Sequence, residues 1–189
     1  MLAVALKEWA VVCDLLLEGK CSFLLRKGGI HEEKGPGRFG LEHERFTLYP
    51  AWEHQWPEGV KAEHRDRVEV FEREPAEVTF RAMGVVTEET IWRVPSRASF
   101  DSLDDLHPWA APQVDMRFNY KPDRPLYLVA PRVYRLATPK AVPNRDAYKG
   151  CRSWVPLEPA DAVEDAGATP VLSDDAFAAV RERIARAMA

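Results

Sequence analysis

Cysteine is scarce in this chain: three in 189 residues, with no CxxC pair. Cys13, Cys21 and Cys151 therefore suggest neither a disulfide framework nor a zinc-type spacing, and read as reduced thiols of a cytoplasmic protein. The phosphate-cradling GxxxxGK[ST] is missing, as are the dinucleotide fingerprint GxGxxG and the metalloprotease motif HExxH. Long apolar runs are missing too. The opening MLAVALKEWAVVCDLLLEGK is broken by Lys7, Glu8 and Asp14. It has no basic leader region and no small-residue cleavage site, so neither export nor a membrane contact is expected. Net positive charge is also absent. At −4 the chain is no general nucleic-acid coat, and any such surface must be local.

What is abundant is proline, with fifteen residues. That argues against a helical bundle and for short strands with frequent breaks. A composition 46% hydrophobic and 30% charged is that of a globular protein able to bury a core. Leu2 to Leu17 reads as a helix buried on more than one side and stopped at Gly19. Lys20 to Lys27 reads as a central strand. His31 to Gly40 reads as a loop, and Arg45 to Tyr49 as a strand. A short helix is predicted over Glu58 to Arg65, and strands over Arg67 to Arg73 and Glu77 to Val86, the latter extended or turned by Glu88 to Val94. Ser99 is predicted to cap a short helix to Leu106. Strands follow over Val114 to Tyr120, Leu126 to Leu136 and Arg152 to Leu157. Glu158 to Asp175 carries six acids and no Lys or Arg, and reads mostly as a linker. Ser173 then caps a last helix to Met188, with Asp174 and Asp175 at its start and arginines towards its end.

Charge is unevenly placed. From Arg117 to Arg152 stand nine Lys or Arg against two acids, a local balance of +7 that leaves −11 for the rest. Four of the five tyrosines lie in the same stretch (Tyr120, Tyr127, Tyr134 and Tyr148), with Phe118 beside them and Trp154 just beyond. Basic residues interleaved with aromatics point to phosphate-bearing partners, and stacking favours single strands or RNA. The bland alternative is that the aromatics are core and the cations pair with the chain's own acids.

Three stretches together resemble a bacterial and archaeal family known as domain of unknown function 1802. They are Leu6-Lys-Glu-Trp9 with Leu24-Leu-Arg-Lys-Gly-Gly-Ile30, then His43 to Gln55, then Arg117 to Leu157 with RFNYKP, RVYRLATP and YKGCRSWVPL. The resemblance spans Leu6 to Leu157 and leaves the acidic stretch and last helix outside. It implies a shared core and carries no activity.

Site chemistry can be read more narrowly. Arg26-Lys27-Gly28-Gly29 sets two cations beside a glycine turn, which suits a phosphate; the alternative is a plain glycine turn with solvated cations. With Arg45, Arg117, Lys121, Arg132, Tyr148, Arg152 and Trp154 they form the candidate phosphate or nucleic-acid site. Arg26, Lys27, Arg132 and Arg152 are expected to converge. Glu42-His43-Glu44, Glu53-His54, His64 and Asp66 are metal-ligand types without a metal-ligand spacing. Glu8 could serve a metal-dependent nuclease, yet no acid followed by Glu-x-Lys is placed on consecutive strands; Glu18-Gly19-Lys20 sits in a turn. Cys151 with His54 or His107 is a weak nucleophile–base pair. No cofactor or resident metal is expected. The expectation is an α+β domain over residues 1–157, with a strongly bent mixed or barrel-like sheet and covering helices. Residues 158–189 follow as acidic linker and C-terminal helix. The leading function is nucleic-acid or RNA binding. The alternatives are a metal-dependent phosphodiesterase and a protein-interaction domain that contacts a partner through the acidic arm.

Overall fold

A computed structural model describes residues 1–27, 41–150 and 152–189. The strands are β1 (Val4–Trp9), β2 (Leu24–Lys27), β3 (Arg45–Ala51), β4 (Glu77–Val85), β5 (Ile91–Arg93), β6 (Leu126–Val129), β7 (Arg132–Pro143), β8 (Trp154–Pro156) and β9 (Thr169–Pro170). The α-helices are α1 (Ala10–Leu17), α2 (Arg97–Asp101), α3 (Ala111–Asn119) and α4 (Asp174–Met188). The fold is α+β. Six strands form a mixed sheet in the order β8-β1-β3-β4-β7-β9, and three form a second sheet in the order β2-β6-β5. Among the described residues only β1 and β3 run parallel; every other strand pair is antiparallel. The large sheet has two free ends, so among the described residues it does not close into a barrel.

The predicted first helix is half strand. Every residue of β1 is buried, because the strand lies inside the sheet with side chains packed on both faces. Such a strand shows no alternation and reads like an apolar helix. The chain turns helical at Ala10, and Gly19, at φ +72, ends α1 by sending its N–H back to the Leu16 carbonyl. β2 lies at the edge of the small sheet rather than at a centre, yet its apolar residues are buried between the layers.

Three further elements differ from expectation. Val114 to Tyr120 lies in α3, not a strand; Pro112 sits in the helix's first turn, where its missing N–H costs nothing. Leu126 to Leu136 is two strands in different sheets, divided at Ala130-Pro131. Arg67 to Arg73 forms no strand. There the backbone and side chain of Glu69 are held by Gln55 and Trp52 instead of a ladder.

Each face of β1 supplies a core. Val4 and Leu6 pack with α1, Phe23, Leu24, Leu128 and Ile184. Ala5, on the other face, packs with Tyr49, Phe80, Leu136, Tyr148 and Val155. Each such buried large side chain contributes about 1.5–3 kcal/mol. The acidic stretch does more than connect. Leu2 and Val163 exchange backbone hydrogen bonds of 2.7 and 2.9 Å, Asp161 is buried, β9 extends the large sheet, and Ile184 of α4 is fully buried. Ser173 caps α4, its hydroxyl accepting from the Ala176 N–H.

Candidate anion-binding site

Alternation along β1 sends Leu6 and Glu8 to one face and Lys7 to the other. Glu8 therefore enters the space between the two sheets, where 6% of it is exposed. Arg26 reaches it from β2. Its Nη1 donates to Glu8 Oε2 at 2.7 Å and to the Leu25 carbonyl at 3.1 Å, and Nη2 donates to the Lys7 carbonyl at 3.0 Å. One guanidinium thus ties the small sheet to the large one. Glu8 Oε1 accepts from the Trp9 N–H at 2.9 Å. Arg26 Nε is buried and has no partner among the described residues.

A further cation, Arg117 of α3, closes on this pair. Burial lowers the pKa of the half-buried Arg117 guanidinium; Glu8 opposes that shift and Arg26 adds to it, so all three charges share one field. Lys27, next along β2, turns to the end of α3. Its Nζ donates to the Arg117 carbonyl at 3.0 Å and the Phe118 carbonyl at 2.7 Å, a favourable place for a cation at a helix C-terminus. Burial lowers the Lys27 pKa. Among the described residues, Glu8 is the one carboxylate the structure sets against Arg26 and Arg117.

Just beyond α3 the aromatic character returns. Tyr120 is 55% exposed, and Lys121 Nζ lies 5.2 Å from its ring centroid. Lys121 takes φ +44 to make this turn. Sequence reasoning placed Tyr120 in the basic segment but did not single it out; the polar neighbours Asn119 and Lys121 were the available signal.

The remaining predicted site residues are engaged elsewhere. Tyr148, read as an exposed stacking ring, is 1% exposed and belongs to the second core. Trp154 is buried too, edge-on to His43 at 5.1 Å and Phe46 at 5.2 Å, with its Nε1 unpartnered among the described residues. Arg45 pairs with Asp165 at 2.5 Å. Arg132 pairs with Asp174 at 2.6 Å and lies 4.9 Å from the Phe177 ring. Arg152 is exposed, and its backbone N–H closes on the Gly150 carbonyl at 2.8 Å. Arg26 and Lys27 thus meet Arg117 rather than Arg132, which is held at the start of α4. Gly28 and Gly29 lie outside the described residues, as does Cys151.

The acidic stretch engages part of the basic one. Arg145 Nε donates to Asp161 Oδ2 at 2.6 Å, and Lys140 Nζ donates to the Ala160 and Ala162 carbonyls at 2.8 and 2.6 Å. Lys7, one of the few polar residues of the opening apolar stretch, is a buried cation. Its Nζ donates to the Gly150 carbonyl at 3.2 Å, lies 3.6 Å from Glu53, and sits 5.1 Å from the Tyr49 ring centroid. Among the described residues no three His, Cys, Asp or Glu side chains come together as a metal site would require. No helix among them is long and apolar enough to cross a membrane.

The model of a family described as a domain of unknown function, DUF1802, matches residues 5–183. The chain belongs to that family. The match runs well past Leu157, so the acidic stretch and most of α4 are inside the family's extent, not outside it as the resemblance implied. No curated protein matches the chain. Among solved structures, the ASCH protein of Zymomonas mobilis is similar at 10% identity and TM-score 0.48, over 84% of this chain and 89% of that one. A tyrosine-to-phenylalanine variant of it gives 8% identity and TM-score 0.46, over 84% and 91%.

Proposed function

We propose that this protein is a nucleic-acid-binding module that takes single strands at the Arg26–Lys27–Arg117 cluster, with Tyr120 as the stacking ring. The observation that carries the reading is a local charge imbalance: buried Arg26 and part-buried Arg117 share one carboxylate, Glu8, and Lys27 follows Arg26 on β2. Desolvated charge that lacks a counter-charge is costly, and an anion supplied from outside relieves it. Phosphate suits the donor set, because guanidinium groups and an ammonium make charge-assisted hydrogen bonds to its oxygens. An exposed tyrosine with a lysine over its ring, immediately after α3, supplies a face for an unstacked base.

The other readings have less support. A metal-dependent phosphodiesterase requires converging carboxylates, and the described residues bring none together in that way. A partner docking on the acidic arm would have to displace Arg145 from Asp161, Arg45 from Asp165 and Arg132 from Asp174. The test is a fluorescence-anisotropy titration of the full chain with single-stranded RNA, single-stranded DNA and duplex, from low to moderate salt. Binding is expected to single strands, weakened by salt and by Arg117→Gln. Absence of binding to any of the three at low salt would sink the reading.

A further inference from the structure

We propose that the groove between β5 and α4 is a second ligand site, one that takes a guanine ring rather than a phosphate. It goes beyond the reading above, since it makes no use of Arg26, Lys27 or Arg117.

The groove is an open cavity of about 300 Å³, lined by Glu89, Trp92, Ala178, Arg181, Glu182 and Ala185. That size is at the small end of ligand sites. Its α4 wall follows from helical spacing. Val180, Ile184 and Ala187 turn one stripe of α4 into the core. Ala178, Arg181, Glu182 and Ala185, at i, i+3, i+4 and i+7, form the neighbouring stripe. Its two alanines leave room above the helix. The other wall is β5, an outer strand of the small sheet. Trp92 stands opposite Leu128, and Leu128 opposite Leu25, so these three share one face of that sheet. Arg26, next to Leu25, is on the other face. The groove and the anion cluster are therefore separate places.

Chemistry narrows the occupant. Trp92 supplies a broad π face for a planar ring. Beside it stand two carboxylates and one guanidinium. Arg181 Nη2 donates to Glu89 Oε2 at 3.2 Å. Glu182 is met by Arg186 at 3.7 Å, with both side chains 73% exposed, a pair that a ligand replaces at little cost. A lining with more carboxylate than guanidinium disfavours phosphate and calls for a ligand rich in donors. Guanine is the base that sets two donors, N1–H and N2–H, side by side on its Watson–Crick edge, and a carboxylate accepts such a pair with its two oxygens. On the adjoining edge O6 and N7 accept from a guanidinium. An arginine side chain of a protein partner would also suit the carboxylates, but its charge is set against Arg181.

The experiment is an NMR titration of the full chain, labelled with nitrogen-15, with guanosine, inosine, adenosine, cytidine and uridine. None of these carries a phosphate, so the outcome is independent of the anion cluster. The reporter is the Trp92 indole N–H signal, identified by its loss in Trp92→Phe. Guanosine is expected to shift that signal and to bind roughly tenfold or more tightly than inosine, which lacks the N2 amino group, as one hydrogen bond to a charged acceptor gives. Glu89→Gln and Glu182→Gln tell which carboxylate reads the base; one of them should erase the difference between guanosine and inosine. Ala185→Leu fills the groove from an exposed helix position with a good helix former, so it should abolish binding and leave the rest of the spectrum in place. An unmoved Trp92 signal at millimolar guanosine, equal affinity for guanosine and inosine, or full binding by Ala185→Leu would each overturn the proposal. Tighter binding of N-acetylarginine amide than of guanosine would overturn it too and make the groove a dock for a protein side chain.

Discussion

Tyr148 donates its hydroxyl proton to Asp161 Oδ2 at 2.6 Å, a buried hydrogen bond joining the basic segment to the acidic arm. The same hydroxyl accepts from the Glu158 N–H at 2.8 Å, and the same carboxylate receives Arg145. Arg145 is the main reason that the Asp161 carboxyl is held below its usual range, with Tyr148 helping. Two oppositely charged stretches, 13 to 16 residues apart at these contacts, are therefore bound into one surface.

Truncation after Leu157 should destabilise the remaining chain by several kcal/mol. It removes the buried Ile184, whose loss alone is on the scale of about 2–5 kcal/mol. It also leaves Tyr148 without Asp161 and Leu2 without its Val163 pairing. Urea denaturation of the full and truncated chains measures this. An unchanged midpoint and slope would make the arm an independent tail. The milder Asp161→Ala should cost about 1–3 kcal/mol for the stranded hydroxyl and guanidinium. Because the Asp161 pKa is lowered by folding, its contribution is full above the ordinary carboxylate range and fades as pH falls.

Glu8→Gln should destabilise by about 3–5 kcal/mol, because it strands the Arg26 charge between the sheets beside Arg117. Arg26→Met should also destabilise, by stranding Glu8. The double change Glu8→Gln with Arg26→Met removes both charges and should recover most of the loss. A double-mutant cycle by chemical denaturation measures the coupling. Strictly additive losses would show that the two residues act independently.

How much of this was legible beforehand depends on the scale of the interaction. The last helix was readable because its cap, early acids and late arginines are local signals. Arg26, Lys27 and Arg117 were readable as candidate anion binders from residue type and neighbourhood. The meeting of Arg26 and Arg117 with Glu8 was not. It depends on β1 being a buried strand, and local propensity makes that stretch look helical. Tyr148 and Trp154 show the reverse limit: aromatic residues among cations look like a stacking surface, but only tertiary packing decides which rings are covered. Of the tyrosines in the segment, Tyr120 is the strongly exposed one because α3 ends at Asn119 and the chain turns outward at Lys121.

His107 should make the fold acid-sensitive. It is 4% exposed, stacked on Phe100 at 4.7 Å and close to Phe23 and Trp109, and among the described residues neither ring nitrogen has a hydrogen-bond partner. Burial, helped by Lys61, pushes its pKa down to about 4. The folded state therefore keeps it neutral where the unfolded chain, at about 6.5, takes up a proton. The unfolded state binds more protons across that window, so stability falls as pH drops from about 6.5 towards 4. Between pH 6.5 and 4.5 this one residue should cost about 2–3 kcal/mol. Carboxylates such as Asp161 and Asp105 add their own acid loss in any variant. The difference between the unaltered chain and His107→Phe isolates the histidine. Urea midpoints at the two pH values should fall less in His107→Phe, and an equal fall in both would exclude this origin.

Charge and stacking should separate cleanly in the binding titration. Each phosphate neutralised on a single strand releases condensed counterion, giving a slope of roughly −0.7 in log K against log salt. Lys27 stands at the end of α3 and Arg117 shares the field of Arg26 and Glu8, while Arg45, Arg132 and Arg145 are already paired with the arm. About three contacts are therefore expected, a total slope near −2, and an affinity loss of roughly twentyfold from 50 to 200 mM salt. Arg117→Gln should make that slope shallower by roughly 0.7, since it deletes one contact. Tyr120→Ala should instead weaken binding by about 1–3 kcal/mol with the slope unchanged, because a stacked base moves no counterion. Tyr148→Phe should alter neither the slope nor the affinity, because the ring is covered, although it should lower stability through the lost Asp161 bond. If Tyr120→Ala flattened the salt slope as much as Arg117→Gln, the ring would be acting through Lys121's charge, and the stacking role would be wrong.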